Sequence, residues 1–401
     1  MADVIYMDNH ATTRVDPRVV DAMLPWFAEQ FGNPGSVGHA FGEAARNAVT
    51  QSREAIATAI GAQASEIVFT SGATESNNLA IRGVATRRRR RGDHLISVAT
   101  EHRAVLDPLA RLGKVGYEVT PLYVEPHGSS RAGWLDPKQV ADAIRDDTCM
   151  VSVMLANNEI GVIQPLQEIA EICHKRGVLL HTDATQAVGK IPVSVEQLGV
   201  DLMSFTAHKM YGPKGIGALY VRSRDPIVRL EPQLTGGGQE SGRRGGTLNV
   251  PGIVGFARAI ELAIAELPAE AARLAGLRNR LAEGLEQSVD CWQLCGPQLD
   301  AVDTAGQPLR LPGNLMIALG DIDGEAVQMR LPNLAISSGA ACSSTDPEPS
   351  HVLLALGLSP DAARSSLRFG LGRFNTAAEV DSAVLQIAAA VADLRDLAST
   401  S

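Results

Sequence analysis

The stretch His181-Thr182-Asp183-Ala184-Thr185-Gln186, with Ser204-Phe205-Thr206-Ala207-His208-Lys209 soon after it, decides how this chain reads. A lone acid, Asp183, follows the apolar run Val178-Leu179-Leu180, and a lone lysine, Lys209, follows a second run from Val200 to Phe205. Both runs are short, bounded by breakers, and predict buried strands. A charge at the end of a buried strand is costly unless it meets a partner. One ligand would satisfy both: pyridoxal phosphate takes a lysine through its aldehyde and a carboxylate against its protonated ring nitrogen. The plainer reading makes Asp183 a helix cap and Lys209 a solvated loop residue. Gly212, Gly215 and Gly217, around Pro213 and Lys214, favour the cofactor because they let backbone approach a ligand closely.

Outward from this stretch, from about Asp16 to Ala265, helical patterns alternate with short apolar strands. The strands are expected at Glu66 to Phe69, His94 to Val98, Met150 to Leu155, Val178 to His181, Leu202 to Phe205 and Ala218 to Val221. That order predicts an α/β fold with a mainly parallel sheet covered by helices on both faces. On Leu166 to Lys175, Ile169, Ile172 and Cys173 fit one buried helical stripe. Beyond Leu262 a helical stretch, Ala263 to Gln287, leads toward a smaller C-terminal unit. Strands are expected there at Asn314 to Leu319 and Leu334 to Ser337, with helices at Gly324 to Leu331 and Ala377 to Leu394.

Bulk properties narrow the class. The 401 residues suffice for two domains and a large core, and 45% apolar with 20% charged residues is ordinary for a soluble protein. A net charge of -9 argues against general affinity for nucleic acid or anionic membrane. No apolar run approaches a membrane span, and Met1 to Met7 lack the regions of a signal peptide, so cytoplasm is the expectation. Cys149, Cys173, Cys291, Cys295 and Cys342 are too scattered for a disulfide framework. The run Arg87 to Arg91 reads as a solvated helix end or loop, with no catalytic role.

Further candidates sit where strands should end. Ser71-Gly72-Ala73-Thr74-Glu75 opens a helix after Phe69, and a helix N-terminus offers free amides to a phosphate. His102 follows the strand ending at Val98, where ligands collect in open α/β sheets, and an imidazole there could stack on the ring and move protons. Asn157, Asn158 and Gln186 are candidates to donate to the phenolic oxygen. Cys342, in Ser337-Ser338-Gly339-Ala340-Ala341-Cys342-Ser343-Ser344, has only small neighbours, so a reactive thiol on a mobile loop competes with a small buried residue. Cys291 and Cys295 lack the second ligand pair that zinc would need. Arg368 could clamp a carboxylate with its planar fork.

Together these residues resemble the cysteine desulfurases, class V aminotransferase-like enzymes of fold type I. The resemblance starts at Asp8 to Thr13 and Gly32 to Ser36, runs through Thr70 to Asn78, Glu101-His102, Asn157 to Gly161 and Asp183 to Gln186. It continues through His208-Lys209 and Gly242 to Thr247, and ends with Gly339 to Cys342 and Ser365 to Arg373. It implies a seven-stranded type of sheet in a large cofactor-binding domain, residues 15–261. A smaller α+β domain, residues 1–14 and 262–401, would carry the Cys342 loop. By resemblance Lys209 is the cofactor's Schiff-base lysine, Asp183 the ring-nitrogen partner, and His102 the stacking residue. Gln186 and Asn158 would hold the phenolic oxygen, and Thr74, Thr206, His208 and the backbone at Ala73 the phosphate. Thr247, with Arg244 close by, would reach the phosphate in the neighbouring subunit of a homodimer. Arg368 and Asn33 would bind the carboxylate of L-cysteine.

The implied activity converts L-cysteine to L-alanine and leaves sulfur on Cys342 as a persulfide, for iron–sulfur cluster assembly or other sulfur trafficking. No resident metal is implied; Cys342 could ligate a cluster only in a complex. Thr206 stands where the family often has serine, keeping the hydroxyl. The chain stops at Ser401, short of the longer tail with which housekeeping members dock an iron–sulfur scaffold, so a scaffold, a relay protein and a dedicated pathway all stay open as acceptors. An aminotransferase or selenocysteine lyase of the same fold, and a non-catalytic scaffolding subunit, are the competing readings.

Overall fold

Seven strands form the main sheet of the computed structural model, which describes residues 4–88, 92–290, 292–320, 322–338 and 348–399. Cys291, Cys342 and Arg89 to Arg91 lie outside the described residues. The strands are β1 (Ile67–Thr70), β2 (His94–Val98), β3 (Glu118–Leu122), β4 (Thr148–Ser152), β5 (Leu179–Asp183), β6 (Leu202–Thr206) and β7 (Gly217–Val221). Their spatial order is β1-β7-β6-β5-β4-β2-β3. All run parallel except β7, which is antiparallel to both β1 and β6.

Alternation along the strands splits the core in two. Phe69, Ile96, Val151, Leu180, Met203, Phe205 and Ala218 face one side. The neighbouring residues Val68, Leu95, Met150, Leu179, Leu202 and Leu219 face the other, among Leu79, Ile81 and Val84 of the helix Ala73–Arg88 and Val105, Leu109 and Leu112 of the helix Arg103–Gly113. The two-residue period of a strand puts alternate side chains on opposite faces, and each such Leu, Ile or Val contributes about 1.5–3 kcal/mol when fully buried. Helix Leu166–Lys175 buries Ile169 and Cys173 as its spacing predicts.

β3 escaped the sequence reading because Glu118-Val-Thr-Pro-Leu carries a proline and buries only Leu122 fully, as suits a sheet edge. The long helix also begins earlier than expected, at Val250, and runs to Ser288. Asn249 caps it by accepting from the Gly252 amide at 3.1 Å.

A third apolar cluster joins Leu281 and Leu285 of that helix to Leu315, Ile317, Leu367, Phe369 and Ile387. Here Asn314–Ala318 pairs antiparallel with Ser366–Gly370. The single strand expected over Leu334 to Ser337 is two short ones: Leu334–Ala335 pairs with Ile5–Tyr6, and Ser337–Ser338 with Ser366–Gly370. Arg87 is exposed, 3.9 Å from Glu231. No helix among the described residues is long and apolar enough to cross a membrane. No group of three metal-ligating side chains occurs among them either.

Candidate active site

The C-terminal ends of β1, β5 and β6 open onto one cavity of about 480 Å³. Crevices at this edge are where open α/β sheets bind ligands. Ala73, Thr74, His102, Asn158, Asp183, Gln186, Thr206, His208 and Lys209 all line it.

At one wall β1 ends at Thr70 and the helix starts at Ala73. Gly72 turns the chain at φ +152°, a backbone conformation that favours glycine. A Cβ on Gly217, at the start of β7, would lie 2.7 Å from the Gly72 Cα, so this close approach needs glycine there. Glu75, in the first helical turn, accepts from the Ser71 amide at 2.7 Å and is itself held by Arg244 at 2.8 Å. Arg244 is therefore committed to an acid of its own chain. Thr206 donates its hydroxyl to the Ile216 carbonyl at 2.8 Å. His208 contacts the Thr12 hydroxyl through Nδ1 at 3.1 Å, and burial followed by the nearby Lys209 charge lowers its pKa to about 4. A neutral imidazole, free helix amides and two lysines, Lys209 and Lys214, suit a phosphate here.

Asp183 closes β5, almost fully buried. Its Oδ2 accepts from Asn77 Nδ2 at 2.7 Å and its Oδ1 from the Thr185 amide at 2.9 Å. His102 caps the helix Arg103–Gly113: its Nδ1 accepts from the Ala104 amide at 3.0 Å. The residue is exposed within the cavity, yet desolvation by the cavity walls lowers its pKa while Asp183 opposes that shift. A neutral ring with Nδ1 occupied carries its proton on Nε2.

Lys209 follows β6 in a short turn, and its Nζ donates to the carbonyls of His10 at 2.6 Å and Ala11 at 2.5 Å. Desolvation, reinforced by the Arg368 charge and opposed by Asp8 and Asp183, brings its pKa from 10.5 down to about 8. Gln186 donates to the His10 carbonyl at 2.8 Å, while its Oε1 accepts from Lys190 at 2.6 Å. Of the two asparagines, Asn158 lines the cavity. Asn157 is spent on structure, donating to the Thr100 carbonyl and accepting from the Glu159 and Ile160 amides.

Other expected residues stand apart. Arg368 donates to Asp8 and the Ser337 hydroxyl, both at 2.9 Å, while its Nε is buried with no partner among the described residues. Asn33 uses its side chain to accept from the Gly35 amide at 2.9 Å, and Thr247 is exposed. None of the three lines the cavity. Cys342 lies outside the described residues. Cys173 and Cys295 are buried thiols pushed up to about 12 by desolvation.

Sequence reasoning missed Asn77, Thr12 and Thr185. Asn77 stands one helical turn after Thr74, and Thr185 two residues after Asp183, so both could have been found by extending those motifs. Thr12 arrives from the far end of the chain, and no local pattern places it.

Over residues 5–383 the chain matches the profile of the family described as aminotransferase class-V. It is 52% identical over 393 residues to the cysteine desulfurase IscS of Anaeromyxobacter dehalogenans (strain 2CP-C), covering 98% of this chain and 94% of that protein. A solved NifS-like protein is similar with a TM-score of 0.86 at 37% identity, covering 97% of this chain and 99% of the other. SspA, solved in complex with cysteine, has a TM-score of 0.77 at 35% identity, covering 93% of this chain and 100% of that one. Matched along nearly its whole length, the chain belongs to the cysteine desulfurases, pyridoxal-phosphate enzymes of the class-V aminotransferase family.

Proposed function

We propose that this enzyme converts L-cysteine to L-alanine and retains the sulfur on Cys342 as a persulfide for delivery to an acceptor protein. The observation that carries the reading is the convergence, on one cavity, of a lysine whose pKa is lowered to about 8 with a buried carboxylate held by two donors.

The cavity fits the cofactor chemically. Thr185 Oγ1 is buried there without a partner among the described residues, and Gly72 and Gly217 leave the space that a cradle for a phosphate needs. Ala73, Thr74, Thr206 and His208 would hold the phosphate, Asn158 and Gln186 the phenolic oxygen, and Asp183 the ring nitrogen. When bound, the cofactor supplies an electron sink for charge developing at the substrate α-carbon.

The chain's own groups supply the rest. With a pKa near 8, Lys209 passes between its protonated and free forms close to neutral pH, as an amine that shuttles protons at carbon must. His102 offers Nε2–H to the reacting groups, because Ala104 occupies Nδ1. Arg368 and Asn33 would bind the substrate carboxylate, which requires Arg368 to exchange its present Asp8 contact for the incoming acid. The Cys342 thiolate attacks the substrate sulfur; an S–S bond forms as the Cβ–S bond breaks. The electron pair stays with the three-carbon fragment, which gains a proton and leaves as alanine.

We further infer a homodimer. Thr247 is exposed and away from its own cavity, free to reach a neighbouring subunit's phosphate, and exposed Phe27, Phe31, Val37 and Phe41 supply apolar surface. Residues 15–261 form the cofactor-binding domain in this reading; 1–14 and 262–401 form the smaller one that carries Cys342. The separate apolar cluster around Leu281, Ile317 and Phe369 supports that division. In this reading the site of action is the cytoplasm, and the acceptor is an iron–sulfur scaffold or a sulfur relay protein.

Mass spectrometry of cysteine-treated protein tests the proposal. One extra sulfur atom is expected on the Cys342 peptide, and alanine formation should collapse in Cys342→Ala. Equal alanine yield from Cys342→Ala would remove Cys342 from the reaction and leave a simple lyase or aminotransferase.

A further inference from the structure

Asn77 is fully buried on the helix Ala73–Arg88, one turn beyond the residues assigned to the phosphate, and it lines the same cavity. Its Nδ2 donates to Asp183 Oδ2 at 2.7 Å, while its Oδ1 is buried with no partner among the described residues. The chemistry fixes the amide's orientation. Turned over, it would set Oδ1 against a carboxylate oxygen, two acceptors at hydrogen-bond distance. A buried Oδ1 left without a partner carries a desolvation cost, which the bond to the carboxylate must offset.

Resting on the cofactor reading above, we propose that Asn77 is a positioning residue. Its amide holds Asp183 in the orientation that lets the carboxylate pair with the protonated ring nitrogen. The same helix would then serve both ends of the cofactor, its first turn the phosphate and its second, through Asp183, the ring. Asp183 also feels Glu101 and His102 from the segment after β2, His181 on its own strand, and Lys209 after β6. Among these and the residues bonded to it, Asn77 is the side chain that donates directly to the carboxylate; Thr185 donates from its backbone and is unaffected by substitution at 77.

The test compares wild type, Asn77→Ala and Asn78→Ala as apo-proteins titrated with pyridoxal phosphate. Asn78 is a matched control on the same helix, since its amide donates only to the Thr74 carbonyl, at 2.9 Å. Loss of a buried hydrogen bond to a charged group predicts that Asn77→Ala binds pyridoxal phosphate about tenfold to a hundredfold more weakly. The rise in Tm on adding cofactor should shrink in Asn77→Ala and stay at the wild-type value in Asn78→Ala. Should Asn77→Ala not fold, Asn77→Leu, similar in volume and without a donor, is read the same way. Affinity and Tm rise both unchanged at position 77 would overturn this inference alone. A wild-type protein that binds no pyridoxal phosphate would overturn the cofactor reading as well.

Discussion

Lys209 can be tested through its proton. Burial is the main reason its pKa stands at about 8 instead of 10.5, with the Arg368 guanidinium second. At pH 7 an amine with a pKa of 10.5 is free in about 0.03% of molecules, but with a pKa near 8 in about 9%, roughly a 300-fold gain. Only the free amine can capture the cofactor's aldehyde. Capture of pyridoxal phosphate by the apo-protein should therefore accelerate about tenfold per pH unit through the acid range and level off above about pH 8. Arg368→Leu removes the cation and leaves Asp8 without its 2.9 Å partner. Both changes favour the protonated lysine, so the midpoint should rise by about half a unit or more and capture at pH 7 should slow about threefold. Stopped-flow absorbance across the pH range reads both numbers. A plateau reached only near pH 10, or a midpoint that falls in Arg368→Leu, would refute the account.

Two further outcomes follow from packing. Gly217→Ala would drive a methyl to 2.7 Å from the Gly72 Cα, so it should weaken pyridoxal phosphate binding about tenfold or more while the apo-protein stays folded, as equilibrium titration and circular dichroism would show. Arg310 is buried and donates to the carbonyls of Cys295 and Pro297 and to Asn314 Oδ1 at 2.6–3.0 Å. Arg310→Met should cost about 3 kcal/mol or more by leaving these acceptors unpaired, read as a lower denaturation midpoint in urea.

The parts of the site that the sequence could disclose are those where a charged residue breaks an apolar run. Asp183 ends one strand that is buried at every position and Lys209 lies in the turn just past another, so their misplacement beside a core was visible before any coordinates. Periodicity located six of the seven strands of the main sheet but could not orient them. Gly217–Val221 is as apolar as its parallel neighbours, and only its pairing reveals that it runs the other way. Glu118–Leu122 stayed hidden because an edge strand need not be apolar. What holds the functional groups was the least legible. The donors to Asp183 come from 106 and two residues away, and the acceptors for Lys209 from 199 and 198 residues away. Thr185 apart, these pairs share no period, and tertiary folding alone brings them together.

The carbonyls that hold Lys209 bear on how the molecule is made. His10 and Ala11 sit on an N-terminal arm that pairs through Ile5–Tyr6 with Leu334–Ala335 and through Asp8 with Gly370. On a ribosome the arm emerges long before its pairing partners. The sheet bearing Asp183 and Lys209 can assemble while this arm still lacks its anchors. A polypeptide truncated before Leu334 would carry the key amine and its strap without the strand partners that fasten the strap.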